Sequence, residues 1–237
     1  MGELNQKLES LYLSKMDHLS KMYAELKQLG QSDYSWPLLL HVWEEDYSKA
    51  PIKLMIIGQE PNGWDAELTT AEDVVSSMAV YEHFDMGRNY NSIFWRWARK
   101  INQQLGNPNT NCFVWNNILK FGKECEKGRP DRRITEFENR YCNIIADEIA
   151  ILNPDVCIFL TGPSYDNDIK AKFPDVEFVE FGGYKDKNEV AWLKSEHLPP
   201  HSYRTYHPGA GRFWPKWYPE VFEIISRTVR KDLLGKE

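Results

Sequence analysis

Two short stretches of the chain carry residue types able to do chemistry. The first is Gly58-Gln59-Glu60-Pro61-Asn62-Gly63, where a carboxylate and two side-chain amides stand in a turn rich in Gly, Pro and Asn. The second, much further along, is His207-Pro208-Gly209-Ala210-Gly211-Arg212. Each follows a run of strand length, Ile52 to Ile57 before the first and Tyr203 to Tyr206 before the second. In open α/β sheets ligands bind at the carboxyl ends of strands, so both turns are candidates for one pocket. Two more strand ends add Asn116 and Thr161. Any one of these four would be read as a helix cap or a partner for buried backbone. Four along one sheet edge point instead to a shared site.

What is missing bounds the chemistry. Neither G-x-x-x-x-G-K-[ST] nor a strand-borne G-x-G-x-x-G is present, so no nucleotide-phosphate loop is expected. G-x-S-x-G is absent too, which leaves a nucleophile-elbow hydrolase without its nucleophile. His197, His201 and His207 lack a metal-ligand spacing, and no metal or cofactor is expected. The pocket is one of hydrogen-bonding groups around a single carboxylate.

The elements that must position these residues alternate between strand and helix. An amphipathic helix is predicted over 2–29, on the spacing of Leu4, Leu8, Leu11, Met16, Leu19, Met22, Tyr23 and Leu26. A short helical segment follows from Trp36 to Trp43, and residues 65–85 are read as a weakly patterned polar span. Further helices are predicted over 89–105, 133–152, 166–173 and 218–233. Strands are predicted at 52–57, 111–115, 156–160, 176–181 and 202–206, and 182–198 is left without assignment. Near-continuous apolar strands between helices imply a largely parallel sheet covered on both faces, a three-layer α/β/α domain with a central sheet of about four strands. Residues 1–48 form an N-terminal helical segment packed on the α/β domain of 49–237, one domain overall.

With 42% hydrophobic and 14% aromatic residues in 237, the chain can bury a sizeable core. The net charge of -6 argues against broad electrostatic wrapping of nucleic acid. It leaves room for a local basic face, at Lys120, Lys123, Lys127, Arg129, Arg132 and Arg133, or at Arg212 and Lys216. No apolar run approaches the ~18 residues of a membrane span, and the polar start is unlike a signal peptide, so a cytoplasmic protein without a membrane partner is expected. Cys112, Cys125, Cys142 and Cys157 form no C-x-x-C pair, and Cys157 reads as a reduced core thiol.

Gly58-Gln59-Glu60-Pro61 resembles the first motif of the uracil-DNA glycosylase superfamily, Gly-Gln-Asp-Pro-Tyr-His in its best-known branch. His207-Pro208-Gly209 resembles the second, His-Pro-Ser followed by a loop that enters DNA. Asn91-Ser92-Ile93-Phe94 resembles the helix start after the first motif. Val114-Trp115-Asn116-Asn117-Ile118-Leu119 resembles the strand ending in the base-reading Asn, and Val156 to Gly162 the apolar strand ending in Trp-Gly. The five lie in register over roughly residues 50–230.

The resemblance implies hydrolysis of the N-glycosidic bond of uracil or another deaminated base flipped out of DNA, the first step of base-excision repair. It implies that Glu60 stabilises the cationic sugar and orients water, that His207 stabilises the departing base, and that Asn116 reads the base edge. Gly58 and Gln59 would line the base pocket, with Tyr81 or Phe84 as the stacking aromatic. Pro208, Gly209, Gly211 and Arg212 would meet DNA, Arg212 as wedge or phosphate contact. Departures are clear. Glu60 replaces Asp and moves the carboxylate out by one methylene. Asn62 or Gly63 replaces the Tyr that excludes thymine, and the wedge loop is no longer apolar. Trp64 either restricts the pocket or packs in the core. No cysteine precedes Cys112, so the iron-sulfur cluster of some branches is not expected. The expected partner is damaged DNA, single- or double-stranded, bound by a monomer. The rival readings are an inactive relative that binds nucleobase, nucleotide or nucleic acid, and a hydrolase or transferase of a nucleoside-like small molecule.

Overall fold

In the computed structural model, residues 2–124, 126–183, 186–210 and 217–235 are described. The sheet is built on β1 (Leu54–Gly58), whose five residues are all buried, as a strand covered on both faces requires. Its neighbours are β2 (Phe113–Asn117) and β3 (Val156–Phe159), and β6 (His201–Thr205) pairs with β3. These four strands are parallel, in the order β2-β1-β3-β6. Their register sets Gly58 beside Asn117 and Phe159 beside Arg204, so their carboxyl ends share one edge.

The sheet has six strands rather than about four. β5 (Val190–Lys194) runs antiparallel to β6, and β4 (Glu177–Val179) antiparallel to β5, so a parallel core carries an antiparallel extension. β5 escaped the sequence reading because Trp192 and Lys194 interrupt its buried set of Val190, Ala191 and Leu193.

The helices differ from expectation in three places. Residues 36–43 are without regular secondary structure, not helical: Leu38 and Ser35 donate their backbone N–H groups to the carbonyls of Lys120 and Gly122. The helical turn comes later, as α2 (Glu44–Ser48). The span read as unpatterned holds α3 (Asp73–Phe84), which buries Val74, Ser77, Met78 and Tyr81 on one stripe. The helix expected over 133–152 is two, α5 (Arg132–Tyr141) and α6 (Ile145–Leu152), separated by a non-helical break at 142–144. α4 (Ile93–Gln104) starts at Ser92, whose side chain caps the Trp95 N–H. α7 (Asp166–Lys172) and α8 (Trp217–Leu234) lie where expected.

The N-terminal helix α1 (Glu3–Gln28) is joined to the body by buried polar contacts as well as apolar ones. Tyr12 donates its hydroxyl proton to Glu148 at 2.8 Å and accepts from the Leu40 N–H at 2.9 Å. Asn5 pairs in both directions with the Val42 backbone. No described helix is long and apolar enough to cross a membrane.

Candidate functional site

Glu60 and His207 follow β1 and β6, the two strands that flank β3. Between them, Gln59 donates to the carbonyl of Thr161 at 2.8 Å, and the Gly162 N–H donates to Thr205. The turns after β1, β3 and β6 are thereby stitched together.

His207 is held on its ring face and at one nitrogen. Phe94, from the first turn of α4, stacks on it with centroids 5.6 Å apart and planes 14° apart. The Gly209 N–H donates to Nδ1 at 3.0 Å, which assigns the ring proton of the neutral imidazole to Nε2. Burial drives the His207 pKa down to about 4. At neutral pH the group is therefore a neutral hydrogen-bond donor. Pro208 is buried beside it and Gly209 is exposed.

Gly58 explains itself by close approach. A Cβ there would stand 2.4 Å from Asn117 Oδ1 and 3.5 Å from the Phe94 ring. Gly58, Asn117, Phe94 and His207 thus form one contiguous cluster. Asn117 is buried, and its Nδ2 has no hydrogen-bond partner among the described residues.

Glu60 sits in a second cluster on the same edge. The Tyr165 hydroxyl donates to its carboxylate, and Arg129 lies over the Tyr165 ring at 4.8 Å. Arg129 in turn pairs with Asp168. Burial raises the Glu60 pKa, opposed by the Tyr165 hydrogen bond and the Arg129 charge. Burial also pushes the Tyr165 hydroxyl up, so it stays protonated and keeps donating. Arg129 and Asp168 also line a cavity of about 530 Å³, with Arg132, Thr135, Ser164 and Asn167 among others; Glu60, Tyr165, His207 and Phe94 do not line it.

Several expected site residues stand elsewhere. Asn116 is closed to a ligand: it is fully buried, its Oδ1 accepts from Lys120 at 2.7 Å and from the Asn117 N–H, and its Nδ2 donates to Glu148 at 2.9 Å. Successive strand residues face opposite sides, and Asn117 takes the side facing Phe94. Tyr81 is buried too, and its hydroxyl exchanges hydrogen bonds with the Trp115 backbone at 2.8 and 2.9 Å. Phe84 packs among Trp64, Tyr90, Trp95 and Trp115. The aromatic that stacks on His207 is Phe94. Trp64 packs in that same aromatic cluster. Gly211 and Arg212, and with them Lys216, lie outside the described residues.

The basic stretch of 120–133 is largely neutralised. Lys120 is buried on Glu148 at 2.7 Å, and Lys123, Arg129 and Arg132 pair with Glu126, Asp168 and Glu136. Cys112, Cys142 and Cys157 are free and buried. Among the described residues there is no group of three or more His, Cys, Asp or Glu that could hold a metal ion.

Sequence reasoning missed Phe94, Asn117, Tyr165, Arg129 and Asp168. The Gly162-Pro163 turn at the end of β3 was the available signal for Tyr165, since it aims the next residues at the same edge. No protein-family model matches this chain, and a search of curated proteins finds no match either.

Proposed function

We propose that this protein hydrolyses an N-glycosidic bond to a nucleobase, with uracil or another deaminated base in DNA as the leading substrate and a three-layer fold of the uracil-DNA glycosylase type as its frame. The reading is carried by one observation: a partly buried carboxylate and a neutral histidine with its donor nitrogen assigned, on the turns after β1 and β6, the strands on either side of β3. Breaking such a bond develops positive charge on the sugar and negative charge on the base. Glu60 answers the first, as a carboxylate that stabilises the sugar cation and directs water to it. The Nε2–H of His207 answers the second, by hydrogen-bonding the base oxygen that gains charge. A neutral imidazole suits this role, because its Nε2–H donates as it stands, without a proton first being taken up from solvent. The unpartnered Nδ2 of Asn117 offers a donor to the base edge in place of Asn116, and Phe94 supplies the aromatic wall.

The test is base release from single- and double-stranded oligonucleotides carrying uracil, hypoxanthine or xanthine. Wild type should release base, and Glu60→Gln and His207→Ala should each lower the rate by at least about 100-fold, the usual scale for losing one preorganised electrostatic group. Absence of release from every substrate would sink the hydrolase. Retention of DNA binding under those conditions would then favour a catalytically idle nucleobase or nucleic-acid binder.

A further inference from the structure

The carboxylate of Glu60 hangs on three rotatable side-chain bonds, and left to itself it would spread over several rotamers. It has one hydrogen bond: the Tyr165 hydroxyl donates to Oε2. Oε1 takes no hydrogen bond among the described residues, and it is not one of the atoms shut off from solvent. Glu60 therefore presents one oxygen that is held and one that is open. Tyr12 meets Glu148 differently. There Oε1 takes Tyr12 and Lys120, Oε2 takes Asn116, and nothing is left over. A tyrosine that helps to saturate a buried carboxylate serves the fold, whereas Tyr165 leaves an acceptor unused on a half-buried one.

Tyr165 is itself fixed on several sides. Gly162 opens its turn with a left-handed φ of 74°, its N–H tied to the Thr205 carbonyl, and Pro163 follows. The Tyr165 N–H donates back to the Gly162 carbonyl at 3.3 Å, and the residue is 7% exposed. The Arg129 guanidinium covers one face of the ring at 4.8 Å, a cation–π contact. Arg129 is anchored in turn by Asp168, a buried residue of α7 just beyond Tyr165 in the chain.

We propose that Tyr165 is the positioning residue of this site: its hydroxyl holds Oε2 of Glu60 and leaves Oε1 as the oxygen that directs water, while Arg129, held by Asp168, braces the phenol ring. The assignment rests on the glycosidase reading above, which gives Oε1 its role. Tyr165 touches no reacting atom and acts through Glu60. It acts on charge as well as on place. Burial favours the protonated carboxyl of Glu60; the Tyr165 hydrogen bond and the Arg129 charge favour the carboxylate, and the Asp168 charge opposes it. Among the described residues these three are the titratable and charged groups that face Glu60.

Two readouts on the full chain test this, and one needs no catalysis. Carbon-13 NMR titration of the Glu60 carboxyl, assigned with Glu60→Gln, should give a higher pKa in Tyr165→Phe than in wild type, since the donor is lost and the ring is kept. Arg129→Gln, at a side chain 41% exposed, should move it the same way by less. On uracil-containing oligonucleotides, Tyr165→Phe should lower kcat by at least about tenfold at unchanged KM, within the ~100-fold that a misplacement of about 1 Å costs. Because the reaction needs the carboxylate, the acid limb of the kcat profile should move to higher pH together with the titration. Should Tyr165→Phe fail to fold, Arg129→Gln carries the same two readouts. A loss of kcat that is uniform across pH, with an unmoved acid limb, would overturn the assignment. Base release by wild type with a Glu60 titration that stays put in the variants would overturn it too and spare the glycosidase. A titration that moves in a protein releasing no base would sink the glycosidase and support the hold of Tyr165 on Glu60.

Discussion

Two polar clusters flank the ends of β1 and β2, and they are built on opposite principles. Behind the sheet edge, Lys120, Glu148, Asn116 and Tyr12 form a sealed network with bonds of 2.7–2.9 Å, and Lys172 pairs with Glu138 at 2.6 Å. Lys120, Glu148 and Glu138 are at most 1% exposed. On the open side stand Glu60, Tyr165, Arg129 and Asp168, with Asn117 and His207 nearby, and there buried atoms are left unpaired. A low-dielectric interior penalises unpaired groups severely, so a saturated network belongs to the fold. The unsaturated one, at the carboxyl ends of the strands, is the cluster that the proposed function assigns to a ligand.

The sharpest way to break this contrast is to cut the sealed cluster. Lys120→Met leaves Glu148 buried without its cation and should cost about 3–5 kcal/mol, measured by chemical denaturation. A loss below about 1 kcal/mol would mean that the cluster is not sealed. The pH dependence of stability should report the open cluster. His207 has its folded pKa lowered to about 4, so between there and its unfolded value near 6.5 the unfolded chain binds more protons. Stability contributed by His207 is thus present above that window and lost as pH falls through it, by up to about 3 kcal/mol at 1.36 kcal/mol per pKa unit. His207→Gln should flatten that acid limb, and an unchanged limb would show that the ring is not buried.

A smaller effect separates the two hydroxyls that meet carboxylates. Tyr12→Phe, in the sealed cluster, should cost about 1–3 kcal/mol, because a bond to Glu148 and the partner of the Leu40 N–H vanish together. Glu60→Gln should have the smallest effect, under about 1 kcal/mol and stabilising at neutral pH. The raised pKa of Glu60 means that the folded chain holds its proton more tightly than the unfolded one, so this residue's contribution falls as pH rises through that window. A strongly destabilised Glu60→Gln would move Glu60 from the ligand side of the comparison to the structural side.

How much of this was legible depends on the element. β1 and β3 read directly from apolar runs, and the parallel core follows from them. α3 was legible in principle, since Val74, Ser77, Met78 and Tyr81 have helical spacing, but a serine in the stripe hid it. The segment from Trp36 to Trp43 was read as helical and is irregular, because the backbone N–H groups of Leu38 and Leu40 find partners far away in sequence. Within the site, the strand ends were legible and the facing was not. Asn116 and Asn117 are identical in type on a strand buried on both faces, so no polarity pattern says which one looks inward. The cluster around Glu60 depends on Arg129, Tyr165 and Asp168, whose convergence is tertiary and leaves no local mark.

Tyr12 has a consequence for the order of events during synthesis. Its carboxylate partner, Glu148, is made 136 residues later. At roughly 5–20 residues per second, α1 leaves the ribosome many seconds before the α5 and α6 part of its docking surface exists. Through that interval its apolar stripe of Leu8, Met16, Leu19, Met22 and Leu26 lacks the cover that α5 and α6 supply. The first helix to be made is therefore among the last to be seated, and a nascent chain arrested before α6 should present that stripe to chaperones.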